Sequence, residues 1–427
     1  MAMLKSYHTE LITGSSQRKE TSSLNMINIV NNITNNILRD APQLVAEAEN
    51  GNIQRKVLEK AIIQDIDKNK YHFGHHREEV IKKVFDYMFG YGILQELIED
   101  QDVSDIDFTK ANEGTITRNG IRTPLELDFG NERLLETYCK LTIVRNGGKL
   151  DENHSHWRVS DEKYRLRINA SIAPRNSTGP ALSIRKHRLQ SYTFDDLIRL
   201  EMMNADIAEF VDQVAKSNIG FIISGMSGAG KTTLYRTKIN SMPELDRILV
   251  IESDSELYPD KRNCIVQKVK KAHDGGIPVT LKDLFRDGVT MTLDGYMIGE
   301  IVSDESYEAV KAGNTGTRIG GSTHSISAYD TFPRLLTLIQ GARVTESERT
   351  IKEMLARSFG VIIHMDKFKV SEILEVVGYD AAKDEFRYNP LFKFEQQGQD
   401  QHDRPIGKFV RCGEPTKELK HRLGRRR

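Results

Sequence analysis

One octapeptide constrains this chain more than any other stretch: Gly225-Met226-Ser227-Gly228-Ala229-Gly230-Lys231-Thr232. It fits the spacing G-x-x-x-x-G-K-[ST], follows the apolar run Gly220–Ser224 and precedes the helical run Thr233–Ile239. Strand, glycine loop and helix in that order make a phosphate cradle. Glycines let the backbone wrap round an anion with its N–H groups pointing inward. The helix N-terminus adds its dipole. Lys231 has the reach for β- and γ-phosphates, and the Thr232 hydroxyl can bind Mg2+. The motif therefore implies ATP and Mg2+ as cofactors. The phosphate contacts fall to Gly225, Ser227, Gly228, Ala229, Gly230, Lys231, Thr232 and Thr233.

The surrounding pattern predicts an α/β fold. Apolar runs at Phe221–Ser224, Ile248–Ile251, Tyr296–Ile298, Val361–Ile363 and Ile373–Val377 are separated by helical stretches. Runs of that length between helices predict a mostly parallel sheet covered on both faces. Upstream, from Ile106 to Leu189, the texture is one of short strands and turns. Asn119-Gly120 is a hairpin signal, and Tyr164–Ile168 and Leu182–Arg185 read as strands. Thr193–Asn204 reads as a capped helix opening a new unit. Residues 24–70 carry helical spacing through Met26, Ile29, Val30, Ile33 and Ile37, and Glu79–Met88 is a further amphipathic helix. The predicted division is a polar lead-in and helical extension over 1–74, an α+β domain over 75–190, and a nucleotide-binding domain with a basic tail over 191–427.

Lys+Arg and Asp+Glu both number 61, so the net charge is zero. That balance argues against a surface devoted to nucleic acid, which carries a basic excess. No apolar run approaches the roughly 20 residues that span a bilayer. The opening MAMLKSYHTE lacks the apolar core of a secretory signal. The three cysteines, Cys139, Cys264 and Cys412, have no metal or redox spacing and read as incidental thiols of a reducing compartment. His72, His75, His76, His154 and His156 lack helical ligand spacing, so surface or turn histidines are preferred over a zinc site. Lys417–Arg427 holds six Lys/Arg and one Glu. It reads as a solvated tail, with contact to anionic lipid or an acidic partner as the alternative.

Two acidic sites end apolar runs: Leu249–Glu252 continuing to Glu256, and Tyr296–Ile298 continuing to Gly299-Glu300. At the C-terminal ends of parallel strands, carboxylates face the ligand crevice, where they hold Mg2+ or orient water. With these residues in order, the chain resembles the type II/IV secretion ATPases, and most closely the CpaF-like ATPases of tight-adherence pilus and conjugation systems. Phe89–Leu97 with Val103–Ile106 looks like the opening of that family's N-terminal domain. Arg165–Asn169 and Gly179–Lys186 look like its closing strands, and Val370–Gly378 is similar to the strand after its core. The resemblance implies a RecA-like ATPase domain at the C-terminal end and a homo-hexameric ring. It places the ring in the cytoplasm, at the inner face of the cell membrane, acting on an inner-membrane platform protein without direct nucleic-acid contact. Lys231 and Thr232 then belong to the Walker A loop. Glu256 matches the Asp-box glutamate, Glu300 the Walker B glutamate and His324 the last His-box histidine. Arg167 and Arg185 match arginines that approach the phosphates. Mg2+ would be held by Thr232, Glu256 and Glu300, partly through water.

The chain also departs from the family pattern. Thr315-Gly316-Thr317 stands where the family has Thr-Gly-His, Thr290–Asp294 replaces Arg-x-Arg-Pro-Asp, and Val302 replaces an arginine. These departures are expected to cluster round the γ-phosphate and to slow hydrolysis more than binding, because cations matter most where charge develops. The expected activity is an ATP-hydrolysing traffic motor. The alternative is a nucleotide-binding, weakly hydrolysing assembly subunit, and a DNA-translocating motor is a third reading.

Overall fold

The computed structural model describes residues 29–30, 32–49, 54–71, 77–270, 277–303, 305–342, 344–401 and 403–424. The predicted lead-in over 1–23, together with His72, His75 and His76, lies outside them. The chain divides into two compact units, residues 1–104 with 116–119, and residues 105–115 with 120–427.

The first unit is mainly helical. Helices Pro42–Glu49, Arg55–Lys68 and Arg77–Phe89 follow a helical stretch over 32–40. The threes-and-fours spacing does what it predicts: Val30, Ile33 and Ile37 are buried with Leu58, Ile62, Ile66, Val80 and Val84 in one cluster.

Strands β1 (Val103–Lys110), β2 (Glu113–Arg118), β3 (Ile121–Leu125), β4 (His156–Asp161), β5 (Leu166–Ser171) and β6 (Ala181–Lys186) form a six-stranded sheet. Its order is β3-β2-β1-β6-β5-β4. Asn119 and Gly120 take positive φ of 51° and 76°, as the hairpin signal requires. The strand expected from Tyr164 starts only at Leu166. The Asp161 carboxylate accepts the amides of Lys163 and Tyr164, and Arg165 sits at φ 53°, so these residues close a turn. The helix expected over Thr193–Asn204 is instead two. Thr193 and Asp196 form a capping box for Phe194–Arg199, and Asn204 caps Ala205–Lys216 through the amide of Ile207.

The larger sheet has nine strands. They are β7 (Phe221–Gly225), β8 (Ile248–Glu252), β9 (Cys264–Lys268), β10 (Gly295–Ile298), β11 (Arg318–Thr323), β12 (Val361–Asp366), β13 (Lys369–Asp380), β14 (Glu385–Gln399) and β15 (Pro405–Arg411), in the order β15-β14-β13-β12-β7-β11-β10-β8-β9. From β12 to β9 every pairing is parallel, while β13, β14 and β15 extend the sheet antiparallel. Successive residues of β7 point to opposite cores. Phe221 and Ile223 pack with Val211, Val214 and Tyr235, and Ile222 packs with Leu249, Phe332 and Leu355. Burial on both faces explains the unbroken apolar runs. Lys417–Gly424 is a helix that buries Leu419 in the first of these cores, so this part of the basic C-terminal segment is docked rather than a solvated tail.

Strand β11 was not among the apolar runs, because its centre is Gly320-Gly321-Ser322. Packing sets that choice: a Cβ at Gly320 would stand 2.4 Å from the Phe221 ring and 2.7 Å from the Met297 sulfur. Gly320→Ala is therefore expected to cost about 1–3 kcal/mol of stability by overpacking, read as a lowered urea midpoint with unchanged slope.

Candidate functional site

The phosphate loop leaves the fully buried strand β7 at Gly225. Gly225, Gly228 and Gly230 have φ of 146°, 75° and 93°, conformations that side-chain-bearing residues rarely adopt. A Cβ at Gly225 would lie 2.2 Å from the Met365 carbonyl oxygen, whereas around Gly228 there is open space. Helix Lys231–Asn240 starts directly after Gly230. Lys231 Nζ donates to the carbonyls of Gly225 and Met226 at 2.9 Å each and stands 3.5 Å from His324 Nδ1. Burial pulls the Lys231 pKa down, and the charges of Glu300 and Glu256 oppose that shift. Ser227 and Gly228 are exposed at the loop tip, Ala229 is buried beneath it, and Thr232 and Thr233 are half-buried in the first helical turn.

Glu300 and His324 follow the C-terminal ends of β10 and β11. His324 Nε2 lies 2.7 Å from Glu300 Oε1. With its proton on Nε2, the ring donates to the carboxylate and turns the Nδ1 lone pair toward the Lys231 ammonium. Lys231, His324 and Glu300 thus converge in one chain of contacts.

Glu256 follows β8. Its carboxylate accepts from Arg167 Nη1 at 2.5 Å. Burial raises the Glu256 pKa and Arg167 counters it, while the Glu300 charge adds to the rise. Arg167 stands on β5, also 3.9 Å from Asp254. Arg185, on β6, is half-exposed and donates to Asp105 at 2.9 Å, away from the loop's own hydrogen bonds. The structure therefore brings Lys231, His324, Glu300, Glu256 and Arg167 to one end of the sheet, with Arg185 held by a carboxylate of β1.

Arg158 escaped the sequence reading, and Glu252 entered it only as the acidic end of an apolar run. Arg158 on β4 pairs with Asp254 at 2.7 Å, next to the Arg167 contact. Its signal was the alternation His156-Trp157-Arg158-Val159, masked by turn-forming residues before it. Glu252 ends β8 with a buried carboxylate whose Oε1 accepts from the amides of Glu256 and Leu257 at 3.1 and 2.8 Å, fixing the turn that carries Glu256. Its Oε2 is buried without a hydrogen-bond partner, and burial pushes the pKa up to about 7.

The residues expected to surround the γ-phosphate divide. Val302 lies two residues beyond Glu300, but Thr290, Thr292 and Thr317 precede β10 and β11. These strands run parallel to β7, so their entrances lie at the end of the sheet opposite the phosphate loop. From Thr317 to His324, at about 3.3 Å per residue, the separation is about 23 Å. The expected cluster of lost cations round the phosphate is corrected accordingly. Among the histidines, His154 pairs with Asp151 at 2.9 Å and meets Trp157 edge-on. Among the described residues no group of three or more His, Cys, Asp or Glu is placed to hold a metal. Likewise, no helix there is long and apolar enough to cross a membrane.

The fit to a triphosphate and Mg2+ rests on chemistry present here: a left-handed glycine cradle, a lysine tucked beneath it, and hard oxygen donors on Thr232, Glu256 and Glu300.

Glu252 makes a pH prediction. A carboxyl whose folded pKa is about 7, above its ordinary 4.5, stabilises the fold fully below 4.5, and the benefit is lost as pH rises through 7. Glu252→Gln keeps the amide acceptor and removes the titration. Its stability relative to the native chain should rise by up to about 3 kcal/mol between acid and neutral pH, checked by urea unfolding across pH 4 to 8.

Residues 150–366 match the family described as type II/IV secretion system protein. A Mycobacterium tuberculosis protein whose name ascribes it to conjugal transfer is 24% identical over 285 residues, covering 65% of this chain and 80% of that one. VirB11 of Agrobacterium fabrum is 28% identical over 188 residues, covering 42% of this chain and 54% of its own length. The crystal structure of the Yersinia pseudotuberculosis ATPase DotB shares 15% identity at a TM-score of 0.50, with 82% of each chain covered, which is a likeness of fold. The match over 150–366 spans half the chain and contains the phosphate loop, both strand-end glutamates and His324, and on that ground this chain belongs to the type II/IV secretion system protein family.

Proposed function

We propose that this protein is an ATP-hydrolysing motor of a secretion, pilus-assembly or conjugation system, of the CpaF-like branch. In this reading residues 191–427 form a RecA-like ATPase domain and residues 75–190 an N-terminal partner domain. The working form is a homo-hexameric ring in the cytoplasm, acting on an inner-membrane platform protein without contacting nucleic acid. The observation that carries the reading is the convergence of Lys231, His324 and Glu300 beside the glycine cradle.

Each residue then has a definite task. The loop amides from Ser227 to Thr233 bind phosphate oxygens, and Lys231 exchanges the Gly225 and Met226 carbonyls for the β- and γ-phosphates. Glu300 orients the attacking water and receives its proton. His324, bonded to the carboxylate, keeps it aimed. Bound Mg2+ would neutralise charge on the phosphates, with Thr232, Glu256 and Glu300 as its protein-side ligands. Arg167 stabilises the charge that develops on the transferring group once it lets go of Glu256, a task suited to a forked cation.

The engagement of Arg167 by Glu256 and of Arg185 by Asp105 favours a second reading, a nucleotide-gated assembly subunit with weak turnover. Phosphate release separates the two. The motor should hydrolyse ATP at a rate that climbs with protein concentration as rings form, with size measured alongside. Lys231→Ala should abolish turnover. Arg167→Ala should lower kcat about a hundredfold while ATP still binds. Tight ATP binding with release no faster than Lys231→Ala, even in assembled protein, would establish the assembly subunit instead.

A further inference from the structure

Strands β12 and β13 are joined by a turn that the sequence does not favour. Asp366 pairs with Lys369, so Lys367 and Phe368 are the whole loop, and both have positive φ, 41° and 64°. Such turns normally use Asn or Gly, and a bulky aromatic there is strained. Strain of this kind persists where surrounding contacts impose it, often at ligand clamps.

Those contacts are specific. The Phe368 amide donates to the Ala229 carbonyl of the phosphate loop at 3.2 Å. A Cβ at Gly230 would lie 3.1 Å from the Phe368 ring and 3.1 Å from the Met202 methyl. Just beyond the turn, Lys369 Nζ and the Val370 amide donate to the carbonyls of Glu201 and Met202, each at 2.8 Å. The hairpin tip is thus fastened to the cradle on one side and to the 201–202 turn on the other. Phe368 nevertheless remains about half exposed, at 49%.

Sheet order gives the ring a direction. Glu300 and His324 follow β10 and β11, on one flank of β7, and Phe368 follows β12, on the other. A triphosphate with its terminal phosphate toward Glu300 and His324 runs across the loop, and the remainder of the nucleotide leaves on the β12 flank. We propose that Phe368 is the base platform of this site, its exposed face stacking on the nucleobase of the bound nucleoside triphosphate. The proposal rests on the nucleotide reading of the loop and adds the residue that recognises the part of the ligand beyond the phosphates. It also gives the strained turn a reason: the ring is held at a fixed distance from the cradle before ligand arrives.

The test compares ATP with inorganic tripolyphosphate, which has no base, by calorimetry on the full chain with Mg2+. Phe368→Leu keeps apolar packing on Gly230 and removes the π face. Phe368→Tyr keeps both. Phe368→Leu should weaken ATP binding about tenfold and leave tripolyphosphate affinity unchanged, and Phe368→Tyr should bind ATP as the native chain does. Equal losses for both ligands, or no loss for ATP, would overturn the base platform. Failure of the native chain to bind either ligand would sink the nucleotide reading itself, and the platform with it.

Discussion

Everything chemical in this molecule depends on parallel pairing about β7. Thr323 and His364 both pair with Ser224, so β11 and β12 end level with the strand that launches the phosphate loop. The level is pinned by side chains as well. Ser224 Oγ lies 2.9 Å from His364 Nδ1 and accepts from Thr331 Oγ1 at 2.9 Å, a buried polar node at the foot of the loop. A slip of one residue in either strand would unpair these buried groups. Because the strands end together, Gly225, Glu256, Glu300, His324 and Phe368 share one edge, though more than a hundred residues separate the first from the last.

Charge compensation is the second constraint. Zero net charge for the chain is repeated locally as close pairing: Arg167 with Glu256, Arg158 with Asp254, and Lys268 with Glu162. Partly desolvated ions need such partners, since an unpaired buried charge costs several kcal/mol. A triphosphate brings several negative charges into this array. It can be accommodated only if cations change partners, and Lys231, held by neutral carbonyls rather than by a carboxylate, is the one that changes most cheaply. Arg167 must give up an ion pair to do the same.

Much of this was legible in the chain. The strand–loop–helix motif and the apolar runs of β7, β8, β10 and β12 follow from burial on both faces, which leaves a plain sequence signature. Where two backbones or a ring approach closely, the signature is lost, and β11 is glycine-rich because Phe221 fills its space. Arg158, and the part Glu252 plays in building the turn, were hidden for another reason. Their importance comes from partners about ninety-six and four residues away, through an ion pair with Asp254 and a turn closed at Glu256, and neither contact has a local pattern. Motif order also misled in one respect. It suggests that residues flanking a motif flank the site, but a residue before a parallel strand and a residue after it stand at opposite ends of the sheet.

Position along the strands also bears on the proposed turnover. Thr290, Thr292 and Thr317 stand at the far end of β10 and β11, so within one chain the residue types there remove nothing from the phosphate end. Lys231, Arg167 and Arg158 stand there, and both arginines are engaged by the acidic turn 254–256. Glu252 builds that turn by holding the amides of Glu256 and Leu257. Under the proposed function, then, the rate is set less by a shortage of positive charge than by its release. Each arginine freed from the turn leaves a carboxylate that needs a new counter-charge, and Mg2+ on Glu256 is the natural replacement. Metal binding and arginine transfer would then be two halves of one exchange. That coupling would keep Arg167 away from the phosphates until the metal is in place.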